Sequence, residues 1–157
     1  MSATIDPVRQ AIIDRIAAIP RIGPVHTRER FAKDLGKLKA LYVSDIDGET
    51  VLRGWYVHRY DFNQNTPTSG RTVKITTWHI RGFSGFDDEN ESGLVFDNLI
   101  DAVATTFRED ITLGGLTSGT DLEDGEVGIQ LLESKSVMFA NVLCHSALLQ
   151  LTTVEFF

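Results

Sequence analysis

Residues 52–83 read LRGWYVHRYDFNQNTPTSGRTVKITTWHIRGF. Two runs rich in Val, Ile, Tyr, Trp and Thr flank a polar loop at 63–70, NQNTPTSG. β-Branched and aromatic side chains suit a pleated, half-buried surface. Turn-forming residues between two such runs mark a hairpin. Residues 51–62 and 71–82 are therefore predicted as antiparallel strands. Upstream, 40–44 is a third apolar run, and Asp47-Gly48 stands between it and the first of the pair. Asp-Gly accepts the left-handed backbone of a two-residue hairpin turn. The centre of the chain is thus predicted to be a three-stranded antiparallel meander.

A helix is predicted on each side of this meander. On the N-terminal side, Asp6-Pro7 opens a stretch in which Ile5, Val8, Ile12, Ile16 and Ile19 recur every three or four residues. Asp6 can accept from the free amides of a first helical turn, and Pro7 has no amide to lose there. A helix over 7–19 follows, closed by Pro20. Residues 28–38 keep helical spacing at Phe31, Leu35 and Leu38, though Gly36 costs about 1 kcal/mol there relative to Ala. On the C-terminal side, an acidic linker at 84–93 leads into a second amphipathic helix over 94–108. Phe96, Leu99, Ile100, Val103 and Phe107 form its apolar stripe, and Asn90 or Ser92 can cap it. Residues 111–125 form a glycine-containing loop. Two strands, at about 127–133 and 137–154, close the chain.

Five strands and two main helices give an α+β domain over residues 1–157. The expected architecture is a mainly antiparallel sheet of about five strands, with the two helices packed on one face so that both apolar stripes share one core. No apolar run approaches the roughly 20 residues a membrane helix needs. The start, MSATIDPVRQ, lacks a charged-then-apolar secretory pattern. The lone cysteine, Cys144, rules out an intrachain disulfide framework and suits a cytoplasm.

The formal net charge is −7, which opposes a tight grip on phosphates. Its distribution is uneven. Residues 1–40 hold eight Lys or Arg against four Asp or Glu, whereas 41–157 hold seven against eighteen. Between 85 and 126 there are twelve acids and a single base, Arg108. A chain with one basic and one acidic region can associate head to tail, and such a contact makes a ring if it closes.

Several residue groups invite a chemical reading. Asp45-Ile46-Asp47-Gly48 follows an apolar run, like the phosphatase motif of haloacid dehalogenases, where one carboxylate attacks and the second moves the proton beside a magnesium ion. Glu49 interrupts that motif, however, and a predicted strand follows where the motif needs a helix, so a hairpin turn is the expected reading. Asp45, Asp47 and Glu49 also fall short of the six to eight oxygens calcium takes. Cys144 and His145 are adjacent on a predicted strand, so their side chains point to opposite faces. His58 and His79 can face each other across the hairpin, but two histidines without a third ligand do not make a zinc site. Trp55, Tyr56, Tyr60, Phe62 and Trp78, interleaved with Arg53, Arg59, Arg71, Lys74 and Arg81, have the make-up of a base-stacking platform, although sheet aromatics are more often core. No catalytic residue, cofactor or metal site is expected.

The order of elements resembles the tail terminator (tail-completion) proteins of long-tailed bacteriophages. The stretches that carry the resemblance are IDPVRQAIIDRIAAIP, then LRGWYVHRYDFNQNTPTSGRTVKITTWHIRGF, then ESGLVFDNLIDAVATTFRED and the strand-rich end. The resemblance implies a structural virion protein that is not an enzyme. It implies a homo-oligomeric ring, usually of six subunits, on the head-proximal end of the tail tube. Such a ring stops polymerisation of the tail tube protein and offers the head connector protein a surface, while DNA passes through its channel. Assembly takes place in the host cytoplasm, and no membrane is involved. On this reading Arg28, Arg30, Lys33 and Lys37 are candidate subunit-interface residues, with Phe156 and Phe157 as apolar anchors. Asp87, Asp88, Glu89, Asp121, Glu123 and Asp124 are a candidate acidic contact surface or lumen. The alternatives are another tail-tube, neck or head–tail joining subunit, a small metal-dependent phosphatase, or a nucleic-acid module built on the aromatic strands.

Overall fold

The computed structural model describes residues 3–66, 70–118 and 128–157. The order of elements is α1 (Pro7–Ala17), β1 (Val25–His26), α2 (Leu35–Ala40), β2 (Val43–Ile46), β3 (Glu49–Asn65), β4 (Val73–Gly85), a 3-10 turn (Asp88–Asn90), α3 (Ser92–Glu109), β5 (Gln130–Phe139) and β6 (Val142–Phe156). The chain folds as an α+β structure in which α1 and α3 pack against a six-stranded, mostly antiparallel sheet. The strands run in the order β1-β3-β4-β6-β5, and β2 also pairs with β3.

The meander forms as expected. The β2–β3 turn is Asp47-Gly48, both at positive φ (53° and 85°), and Val43–Ile46 pairs antiparallel with 49–52. β3 and β4 then pair along nearly their whole length, with one bulge between Arg59 and Asp61. A sixth strand adds to the five expected: β1 lies parallel to β3 at Trp55 and Tyr56, which makes the sheet mixed. A two-residue strand leaves no periodicity to read. The closing pair also differs from expectation. Its turn is Ala140-Asn141, both left-handed, whereas the expected break at 134–136 lies inside β5. Only Asn141 advertises that turn.

Alternation divides the side chains between two faces. On one face Trp55, Val57, Trp78, Ile80, Ala147, Leu149 and Leu151 meet Val8, Ile12 and Ile16 of α1 and Phe96, Leu99, Ile100, Val103 and Phe107 of α3. This is the expected core. Asp6 caps α1 by accepting from the Val8 amide at 2.8 Å. Gly82 stands opposite Trp55 in the ladder, and a Cβ there would fall inside the indole ring. The glycine is what lets the tryptophan lie flat on the sheet.

The other face carries a second, smaller core that the sequence reading did not foresee. Tyr42, Leu52, Phe83 and Cys144 are buried there, with Leu38, Leu41, Phe139 and Val142 packed around them. α2, expected at most as an uncertain helix, brings Leu38 and Leu41 over this side. The helices therefore cover both faces at this end, whereas one covered face was expected. Tyr42 lies on Gly54 as Trp55 lies on Gly82, and its ring meets Phe139 and Phe83 edge-on.

Candidate functional site

Three surfaces stand out, and each joins residues remote in sequence. The first is the basic arm between β1 and α2. The arm is anchored at its root by His26, whose Nε2 donates to the Leu41 carbonyl at 2.7 Å while Nδ1 accepts from Arg30 at 3.3 Å. The bond from Arg30 requires a neutral imidazole, since Nδ1 accepts it. Burial first, opposed by the Leu41 bond but assisted by the nearby Arg30 and Arg28 charges, holds its pKa below the ordinary value. Beyond this root Arg28, Lys33 and Lys37 are exposed and Arg30 half-buried. The helical spacing read over 28–38 does not carry Phe31 and Leu35 onto one helix. Residues 28–34 are not helical, and the two side chains are 79% and 56% exposed. Asp34 instead caps the short α2 by accepting from the Lys37 amide.

The second surface is acidic. Asp87, Asp88 and Glu89 are exposed at the 3-10 turn that leads into α3. Glu91, in a left-handed conformation with no side-chain cap bond, begins the helix, so neither Asn90 nor Ser92 caps it. Ser92 is turned elsewhere. Its Oγ accepts from the Asp87 amide at 2.9 Å and lies 2.9 Å from His145 Nε2. Those bonds tie the acidic turn to β6. An open groove of about 530 Å³ runs beside this clasp, between the start of α3 and the β5–β6 hairpin, and Asp88, Glu91 and Asp97 stand along it. Asp121, Glu123 and Asp124 lie outside the described residues.

Ser92 and His145 are a nucleophile–base pair in distance alone. Phe86 and Phe96 flank the imidazole, with centroids 3.8 and 5.9 Å away. Burial lowers its pKa, which the Asp97 charge partly offsets. Both hydrogen bonds of the serine are spent within the fold, which fits a structural clasp. Next to His145 on β6, Cys144 points to the opposite face, as expected. There burial pushes its thiol up to about 11, so it is an inert core residue at neutral pH.

The third surface is the free end of the sheet. Tyr60 and Phe62 are 59% and 43% exposed on β3. Arg59 and Lys74 lie over the Phe62 ring, and Arg71 over Phe156. The C-terminus joins the sheet: Phe157 exchanges backbone bonds with Thr72, while its side chain and that of Phe156 remain exposed. The base-stacking platform is not assembled, because Trp55 and Trp78 are fully buried and bound to the Ile22 carbonyl and the Thr153 hydroxyl. His58 and His79 do face each other in the ladder, but His79 is stacked under Tyr60 and bonded to Gln150.

The carboxylates of the phosphatase-like run serve the hairpin. Asp45 accepts from Thr50 and Asp47 pairs with Arg21 at 2.9 Å. A cleft of about 650 Å³ opens beside them between the end of α1, the β2–β3 turn and α3. Arg53 lines it. Its guanidinium donates to Ser84 Oγ and the Arg21 carbonyl, and burial, partly offset by the Asp47 charge, lowers its pKa. Among the described residues no three His, Cys, Asp or Glu side chains gather as a metal site, and no helix is long and apolar enough to cross a membrane.

The exposure of Phe31 and Leu35 and the Ser92–His145 clasp escaped the sequence reading. Leu94 offered a signal: it is out of phase with the stripe of α3 and is 61% exposed. The chain matches no protein-family model, and a search of curated proteins returns no match.

Proposed function

We propose that this protein is a structural subunit of a long-tailed phage. It forms a ring, of six copies, on the head-proximal end of the tail tube, ends tube polymerisation and joins the tail to the head connector. One observation carries the reading. Each copy bears a basic arm rooted at the β1/β3 edge of the sheet and an acidic helix start that faces β5 at the other edge. Surfaces of opposite sign at opposite edges suit a repeating head-to-tail contact, the kind that builds rings. The order of elements, which resembles tail terminator proteins, adds the place in the virion. The exposed Phe156, Phe157, Tyr60 and Phe62 at the free end of the sheet are candidate contacts for the tube or the connector.

The test is the mass in solution, by light scattering at two protein and two salt concentrations, with and without tail tube protein. A ring-sized mass, with arrest of tube growth on addition, is the expected result. A monomer in every condition sinks the reading. A ring that leaves tube growth unaffected moves the protein to another joint of the tail or neck.

A further inference from the structure

We infer that the contact between successive copies is made by the 28–37 arm of one copy seated in the α3–β5 groove of the next. This inference rests on the ring reading above and assigns its interface. The arm presents Phe31 and Leu35 to solvent, with Arg28, Arg30, Lys33 and Lys37 around them. Two large apolar side chains left exposed on one short arm are surface available to a partner. The groove has the complementary make-up. Asp88, Glu91 and Asp97 border it, and Leu94, at its edge, is exposed. Its one ammonium, Lys135, is paired with Glu133 at 3.2 Å.

An apolar strip continues from the groove along the same face of the sheet. Met138 and Leu143 are opposite each other in the β5–β6 ladder. They stand two residues along from Ser136 and His145, which line the groove, so they share its face. They are 63% and 49% exposed, and Phe86 beside His145 is 40% exposed. Aromatic and aliphatic anchors set in an apolar strip with charges at the rim is the make-up of a protein contact. The arm supplies no residue to its own copy's groove. Donor and acceptor surfaces are therefore separate, as a head-to-tail contact requires.

The test uses the full chain, under whichever of the conditions above gives the wild-type ring. Phe31 and Leu35 are largely exposed, so Phe31→Asp and Leu35→Ser are expected to leave the melting temperature and circular dichroism unchanged while weakening self-association at least tenfold. Lys33→Glu with Lys37→Glu, and separately Asp88→Lys with Glu91→Lys, each disrupt the ring, and a mixture of the two charge-reversed proteins re-forms mixed oligomers. A mixture of Phe31→Cys and Leu94→Cys copies cross-links under oxidation, which neither does alone. A ring unchanged by Phe31→Asp overturns the docking and leaves the ring reading standing. A Phe31→Asp ring that no longer arrests tube growth also overturns it and assigns the arm to the tube. A wild-type monomer with and without tube protein removes both readings.

Discussion

Strand β3 is two strands in one. From Leu52 to Val57 it is buried except for Tyr56; from His58 to Asn65 every residue is exposed. Both halves hold aromatic residues, and both pair with β4 in one ladder. The difference is the cover. Beneath the first half lie α1 and α3 on one face and Tyr42 on the other, while the second half runs out past both. Strand propensity and ladder bonds therefore extend the hairpin, but they do not make it core. Burial is decided by what the rest of the chain places on each face. The outer half lays Arg59 and Lys74 over Phe62 and is otherwise mostly polar, with Asp61, Asn63, Gln64 and Asn65.

The contrast can be broken most directly with two aromatic residues of this one strand. Trp55→Ala is expected to cost about 3–5 kcal/mol in denaturant unfolding, as for other buried aromatic truncations. A loss below about 1 kcal/mol would erase the distinction between the halves. Gly82→Ala, which drives a methyl into the same indole, is expected to cost about 1–3 kcal/mol by overpacking. Trp55→Phe in that background should recover part of the loss, because the smaller ring leaves space. Ser92→Ala removes the clasp between the acidic turn and β6. It is expected to cost about 1 kcal/mol, at the low end because its partners are not fully buried, without changing the mass in solution.

Acid titration sharpens the contrast from the covered end. His26 and His145 both have pKa values held down by burial. The folded protein then resists a proton that the unfolded chain accepts near the ordinary value of about 6.5. Their contribution is complete above that pH and falls away as pH drops below it toward their folded values. Melting temperatures are expected to decline from pH 7 to 5, and less so in a His26→Gln, His145→Gln double variant. Protonation of His26 also sets it against Arg30 and loosens the root of the arm. The smallest effect belongs to the outer half of β3. Phe62→Ala is expected to change stability by about 0.5 kcal/mol or less, and a loss comparable to that of Trp55→Ala would show that the free end belongs to the core.

Much of the fold was legible because its signals are local. Asp6-Pro7 marked the start of α1, the stripe from Phe96 to Phe107 marked α3, and Asp47-Gly48 marked the first hairpin turn. The misses share a cause. β1 is too short for a period, the Ala140-Asn141 turn uses non-glycine residues at positive φ, and Phe31 keeps helical spacing with Leu35 although the helix begins only at Leu35. Of the candidate site, the signs of the charges were readable, whereas the groove they border was not. It is made by α3 and β5, whose facing residues are some 40 positions apart.

The sequence by itself determined the main helices, the central meander and the apolar stripe each helix presents. Neighbouring side chains and backbone preferences act over a few residues, and they suffice for that. Only the tertiary structure decided which aromatics are core and which are surface, that a second core forms under α2, and that basic and acidic regions sit at opposite edges of one sheet. Those outcomes depend on strand order and on what covers each face, which are properties of contacts between residues distant in the chain.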